Sequence, residues 1–260
     1  MTSLIYGYGD TGKSFERYLE NKKIDFEIFD SNITEYNLNY NFKDFDQILC
    51  SPGVSKDIFE NIKCQNTNIF TDVDIFFNED RSVKIGITGT NRKSTTAFHL
   101  HQLFNKYKSS NLIGNIGNTM LDFINNGKEF SIIELSSFQL DKMDKNHLDF
   151  GILLNIEEDH LDYHGDFKSY KQAKEKILAA NKSISFETDP YNLFKWITGK
   201  QTKKIQLKNL PYRFEYISEK IINDSKSTNY HSLKYAIKKA KRCFNSEYIL
   251  IVCGNPKKEK

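Results

Sequence analysis

The sequence predicts an α/β fold made of parallel sheet layers. Two observations carry this. Short apolar runs alternate along the chain with segments of helical period, and the runs after the first third end in polar groups gathered at one position, their carboxyl ends. A length of 260 residues suits about two domains, or three if they are small.

The elements follow in order. Residues 4–8 read as a strand, 11–21 as a helix, 26–29 as a second strand and 47–50 as a third. A charged segment, 78–82, then precedes a fresh strand at 83–87, which puts a first unit at 1–82. Further apolar runs at 111–113, 130–135 and 151–156 are separated by stretches long enough for crossover helices, the clearest at 95–107. A helix is expected from 167 to about 181, and 183–208 is weakly patterned and polar, so the second unit is taken as 83–208. The third unit, 209–260, holds an extended segment at 213–217, a helix at 230–244 and a strand at 248–252.

Composition excludes some functions. Lys and Arg number 37 against 34 Asp and Glu, and a net charge of +3 spread along the chain gives no footprint for nucleic acid. The basic stretch Lys238, Lys239, Lys241 and Arg242 sits on a helix whose buried face takes Leu233, Ala236, Ile237 and Ala240, so it reads as a solvated face. No run approaches the roughly 18 apolar residues of a membrane span, and the first residues read as a strand and not as a leader. The cysteines, Cys50, Cys64, Cys243 and Cys253, lack paired metal spacing and read as reduced thiols. A cytoplasmic monomer without membrane insertion or nucleic-acid partner is expected.

The chemistry begins at Gly89-Thr90-Asn91-Arg92-Lys93-Ser94-Thr95, between a strand and a helix. Such a loop wraps phosphates with backbone N–H groups, adds the partial charge of a helix N-terminus, and supplies a lysine for phosphate and a hydroxyl for Mg²⁺. The next runs end in Gly114-Asn115-Ile116-Gly117, in Glu134-Leu135-Ser136-Ser137, and in Glu157-Glu158-Asp159-His160. A parallel sheet collects these at one edge, where a carboxylate and an imidazole suit Mg²⁺ and phosphate. Farther on, Phe167, Tyr170, Ala173, Ile177 and Leu178 form an apolar helical stripe, and Lys174 projects into it. A lysine so placed must snorkel, pair with a carboxylate, or be chemically altered.

Taken together these stretches resemble the ordered motifs of the Mur ligases, with Glu158-Asp159-His160-Leu161-Asp162 and Tyr170-Lys171-Gln172-Ala173-Lys174 among them. Leu210-Pro211-Tyr212-Arg213-Phe214-Glu215 and Asn223-Asp224-Ser225-Lys226-Ser227-Thr228-Asn229 are similar to motifs of the D-glutamate-adding branch. The resemblance implies three domains: a Rossmann-like N-terminal domain, a phosphate-loop central domain and a shortened Rossmann-like C-terminal one. It implies ATP-dependent joining of D-glutamate to UDP-N-acetylmuramoyl-L-alanine through an acyl phosphate, for peptidoglycan precursors.

The implied roles fall on matching positions. Gly89, Thr90, Asn91, Lys93, Ser94 and Thr95 would hold ATP phosphates, with Arg213 and Asp224 on the nucleotide. Ser94, Glu134, His160 and a carbamylated Lys174 would hold two Mg²⁺ ions, and Lys93, Glu134, His160 and Lys174 would form the catalytic set. Asp10 and Thr11 in the glycine-rich turn, Asp30, Ser51 and Gly53 in Ser51-Pro52-Gly53, Asn115 and His160 would meet the UDP substrate. Lys226 and Thr228 would meet D-glutamate. Three features depart from the pattern. Arg92 stands where the family has glycine: it crowds the backbone near the phosphates or forces a conformation that glycine adopts more cheaply, or else its side chain points outward or adds a charge contact to phosphate. Residues 174–213 lack a recognisable H-N-x-x-N helix, and Gly254-Asn255-Pro256-Lys257 matches a later turn only loosely. These departures leave a non-catalytic binder of UDP-sugar or nucleotide as the alternative.

Overall fold

The computed structural model describes residues 1–244 and 249–252. The chain opens with β1 (Thr2–Tyr6), α1 (Asp10–Lys22), β2 (Asp25–Phe29), β3 (Gln47–Cys50), α2 (Lys56–Gln65), β4 (Ile69–Phe70) and α3 (Asp72–Glu79). These strands form a parallel sheet in the order β2-β1-β3-β4. Consecutive side chains on a strand face opposite ways. Leu4 and Ile48 accordingly enter one core, with Phe59 and Ile62 of α2, while Ile5 and Leu49 enter another, with Phe15 and Leu19 of α1. The short β4 and the helix α3 lie where no element was expected. Thr71 and Asp74 start α3 with a reciprocal capping box, and its last residues, Asn78 and Glu79, begin the segment that reads as merely charged.

A second parallel sheet follows. Its elements are β5 (Val83–Thr88), α4 (Lys93–Tyr107), β6 (Ser110–Gly114), β7 (Phe130–Glu134), α5 (Ser137–Lys142), β8 (Phe150–Leu153), a single turn α6 (Leu161–His164), α7 (Phe167–Glu175), β9 (Lys182–Ser185) and α8 (Pro190–Thr198). The strand order is β6-β7-β5-β8-β9, so β5 lies at the centre between β7 and β8. Several expectations change here. The helix expected to 181 stops at Glu175 and passes into a 3-10 turn, Lys176–Ala179; Phe167 is exposed and stands outside the buried stripe. The polar stretch from 183 contains β9 and α8. Leu193 and Phe194 of α8 pack on α4, with the Phe104 and Phe194 rings 5.0 Å apart.

The two sheets are joined through their cores. Val73 and Phe76 of α3 and Ile5 of β1 share one cluster with Ile113, Ile133, Leu140 and Leu153. Arg17 of α1 pairs with Asp122, its Nη2 2.6 Å from the carboxylate.

The third unit differs from the Rossmann-like expectation. Among the described residues it consists of an antiparallel pair, β10 (Glu215–Ser218) and β11 (Ile221–Asn223), and one helix, α9 (Tyr230–Cys243). On α9 only Ala236 of the expected face is fully buried, and Leu233, Ile237 and Ala240 are half-buried. Of the expected last strand, Tyr248 lies outside the described residues, and 249–252 pair with no strand and are exposed. Cys253 and the turn at 254–257 also lie outside the described residues. No helix among the described residues is long and apolar enough to cross a membrane.

Candidate active site

The loop between β5 and α4 is pinned from behind by the segment after β8. The Thr90 N–H donates to the Asn155 carbonyl at 3.0 Å, and the Asn155 side chain bonds the Asn91 backbone twice, at 2.8 and 3.0 Å. The Thr90 hydroxyl donates to the Glu157 carbonyl, accepts from the Glu157 N–H, and lies 2.8 Å from the Tyr170 hydroxyl. A Cβ on Gly89 would come within 3.0 Å of Leu154 and 3.3 Å of the Asn155 nitrogen, so a larger residue here would have to push the segment after β8 back by a few tenths of an ångström. Arg92 adopts φ 69°, ψ 2°, the left-handed conformation that glycine takes readily, and it is exposed. Of the outcomes posed for it, the structure shows an exposed side chain on a backbone conformation that glycine adopts more cheaply. Lys93 is the first residue of α4 and donates to the Thr90 carbonyl at 3.1 Å. Ser94 and Thr95 follow in the same first turn, half-buried.

Around this loop the strand ends converge. Glu134 closes β7 and is 1% exposed; Oε1 accepts from Asn115 Nδ2 at 3.1 Å, and the buried Oε2 has no hydrogen-bond partner. Asn115 is brought there by Gly114, whose φ of +101° and contact with the Glu134 carbonyl leave no room for a Cβ. Lys174, also 1% exposed, donates to the Gly89 carbonyl at 2.8 Å and lies 3.3 Å from the Thr88 hydroxyl. Burial first, and then the charge of Lys93, push the Lys174 amine well below the ordinary lysine range; the charges of Asp159 and Glu134 oppose this. Burial thus excludes snorkelling for Lys174, whose hydrogen-bond partners are a backbone carbonyl and a hydroxyl, and α7 aims it under the loop between β5 and α4. His160 has a left-handed backbone at the start of α6, and its ring packs edge-on against Phe138 at 4.8 Å. The carboxylate of Asp159 accepts from the His160 N–H and lies 3.7 Å from its Nε2.

These residues fit a divalent cation of the Mg²⁺ type. An unpartnered, buried carboxylate oxygen beside a phosphate loop is the donor such an ion needs, with phosphate and water oxygens completing its shell. No group of three His, Cys, Asp or Glu side chains among the described residues forms a ready cage.

The first sheet carries a separate cavity of about 520 Å³ at the ends of β1, β2 and β3. Asp10, Thr11, Asp30, Ser51 and Gly53 line it. Gly7 sits at φ +89°, and a Cβ on Gly12 would fall 2.3 Å from the Gly7 carbonyl, which explains the glycine turn. Asp30 accepts from the N–H of Tyr8 at 2.7 Å and of Asn32 at 2.8 Å, and these bonds hold its carboxyl below the usual range. Asn115 and His160 lie in the second sheet's site and not among the residues lining this cavity.

Sequence reasoning missed Lys142. It ends α5, is 5% exposed, and donates to the carbonyls of Pro52, at 2.6 Å, and of Val54. A residue of the second sheet thus grips the turn that walls the first cavity. The sequence carries no clear signal for it: α5 has six residues, and only the structure shows that Lys142 shares a helix face with the buried Gln139, three positions earlier. Beside it, Asp72 is buried and accepts from Gln139 at 3.3 Å, with its other oxygen unpartnered.

In the third unit Arg213 donates to the Lys226 carbonyl at 3.1 Å, and Asp224 accepts from the Phe214 N–H at 2.7 Å. Lys226 and Thr228 are exposed between β11 and α9. The next residue, Asn229, reaches the second sheet, its Nδ2 3.1 Å from Asn91 Oδ1 and 3.4 Å from Asp159 Oδ2.

Comparison with known proteins identifies the family. The Mur ligase middle domain matches residues 87–247. The UDP-N-acetylmuramoylalanine–D-glutamate ligase of Francisella tularensis subsp. novicida (strain U112) is 37% identical over 180 residues, 66% of this chain and 42% of that protein. That of F. tularensis subsp. tularensis (strain WY96-3418) is 35% identical over 202 residues, 74% and 47% of the two. The chain thus spans less than half the length of these relatives. Among solved structures, MurF ligase from Thermotoga maritima in complex with ADP is 17% identical, with a TM-score of 0.37 over 70% of this chain and 42% of that one. UDP-N-acetylmuramate–alanine ligase from the same organism is 18% identical, with a TM-score of 0.41 over 71% and 49%. With the family's middle domain matched across more than half of its length, the chain belongs to the Mur ligase family.

Proposed function

We propose that this chain carries out ATP-dependent amide bond formation, joining D-glutamate to UDP-N-acetylmuramoyl-L-alanine in the cytoplasm. The observation that carries the reading is the convergence of Lys93, Glu134 and Lys174 on one phosphate loop, with Asp159 and His160 alongside. In this reading, residues 1–82 hold the UDP moiety, 83–208 hold ATP, and the segment from 209 carries the amino-acid arm.

A carboxylate is a poor acyl donor, so its oxygen first attacks the terminal phosphorus of ATP, ADP leaves, and an acyl phosphate forms. The backbone N–H groups at the N-terminus of α4, residues 92–95, and the Lys93 ammonium bind and orient the phosphates, a positioning and electrostatic task, while the N–H groups of Thr90 and Asn91 are taken up by Asn155. Ser94 and Glu134, with His160 and Lys174, would hold Mg²⁺, which supplies Lewis-acid neutralisation of the transferring charge. The low basicity of Lys174 leaves its amine free to take up CO₂: a C–N bond forms, a proton is released, and the resulting carbamate is an oxygen donor in place of a cation. Asn115 fixes one Glu134 oxygen and leaves the other for the ion. The amine of D-glutamate, guided by Lys226 and Thr228, then attacks the acyl carbon, and phosphate leaves. Arg213 and Asp224 would contact the nucleotide from the third unit.

The test is release of ADP by the purified chain with each substrate omitted in turn. The reading requires release that depends on both UDP-N-acetylmuramoyl-L-alanine and D-glutamate. Folded protein that releases none rejects it.

A further inference from the structure

We propose that Asn229 is a positioning residue that fixes the segment bearing Lys226 and Thr228 to the phosphate loop. The inference rests on the reading above for what that segment delivers, an amino acid with an anionic side chain. The contact itself is independent of that reading.

The carboxamide of Asn229 is divided between two tasks. Its oxygen caps α9 by accepting the Ser232 N–H at 2.9 Å, while the Asn229 N–H lies 3.3 Å from the Ser232 hydroxyl. Its nitrogen donates outward to Asn91 Oδ1 and Asp159 Oδ2. A capping role alone would be met as well by Asp or Ser, neither of which supplies the outward donor. Both acceptors are themselves held. The Asn91 backbone is bonded on both sides by Asn155, and Asp159 is 7% exposed and accepts the His160 N–H. Asn91 lies two residues before Lys93, and Asp159 adjoins His160, so the donor touches both walls of the site. Thr228 directly precedes Asn229 and Lys226 lies three residues before it. Movement of this one side chain therefore carries both along.

Asn229→Asp separates the tasks, because it keeps the capping oxygen and turns a second oxygen toward Asn91 and Asp159. Hydrogen–deuterium exchange of the unliganded chain is the primary readout. In Asn229→Asp, residues 224–229 should exchange about tenfold faster, the loss of about one hydrogen bond's worth of closure, while α9 keeps its protection. Asp159→Asn combined with Asn229→Asp restores one donor facing one acceptor in reversed order and should return the protection of 224–229. In turnover, the KM for D-glutamate should rise about tenfold with the KM for ATP unchanged. The proposal is overturned if Asn229→Asp exchanges like the parent chain, or if α9 and 224–229 lose protection together and the reversed pair restores neither. A chain that never turns over rejects the proposed activity, while the exchange comparison still decides the contact.

Discussion

Arg92 occupies a backbone conformation at φ 69° that costs a residue with a Cβ about 1 kcal/mol relative to glycine. The chain accepts that cost at the turn into α4, and the exposed side chain leaves the loop interior open. Arg92→Gly should therefore raise the free energy of unfolding by about 0.5–1 kcal/mol in urea titration. ADP affinity measured by calorimetry should stay within about twofold; a tenfold gain would mean that the arginine obstructs the loop after all. Lys174 shows how a single residue could be read in advance. Its helix was legible from the spacing of Phe167, Tyr170, Ala173, Ile177 and Leu178, although Phe167 is exposed and Ile177 and Leu178 fall in the 3-10 turn. A lysine in that stripe had to reach water or a polar partner or be altered. Asn229 could not be read so. Its acceptors, Asn91 and Asp159, are brought to it by tertiary folding, and nothing in the local pattern announces them.

Among the elements, α5 links the two sites. It starts three residues after Glu134 with a capping box between Ser136 and Gln139, and it ends at Lys142, which grips the turn at Pro52 and Val54. Lys142→Met leaves these carbonyls without their donor. It should cost about 1–3 kcal/mol in stability and weaken uridine diphosphate binding about tenfold, with ATP-analogue binding unchanged. Lys142→Arg, which can reach the same carbonyls, should recover most of the uridine affinity. Equal loss for both nucleotides would instead indicate general loosening. The six-residue α5 was too short for periodicity to reveal, so Lys142, unlike Lys174, had no apolar stripe to stand out from. The same limit hid β9, whose Ile184 stands among serines and a lysine and which owes its existence to parallel pairing with β8. By contrast, β1, β3 and β7 carry apolar residues on both faces, β5 alternates Val83, Ile85 and Ile87 with Lys84, Gly86 and Thr88, and all four were plain in the sequence.

Over the whole molecule, the cluster shared by the two sheets should make them unfold together. Circular dichroism and the fluorescence of Trp196, in α8, should report one midpoint. Asp72 lies at the seam, with Lys142, Cys50 and Asp74 as its charged or titratable neighbours. Burial raises its carboxyl from 3.8 to about 6. Protonation of Asp72 thus favours the folded state. Its contribution is complete below the unfolded value of 3.8 and is lost as pH rises through about 6. Asp72→Asn should remove this decline, and its stability relative to the parent should improve by on the order of 3 kcal/mol between pH 4 and pH 7. Parallel stability curves over that range would show that the seam does not titrate.

The joint hydrophobic interior also bears on how the protein can be dissected. Cutting after residue 82 would strip Val73 and Phe76, both fully buried, of their covering and offer the solvent an adhesive patch. A fragment of residues 1–82 made that way should clump, whereas a cut near residue 209 would cross fewer greasy contacts and yield a tractable two-sheet piece.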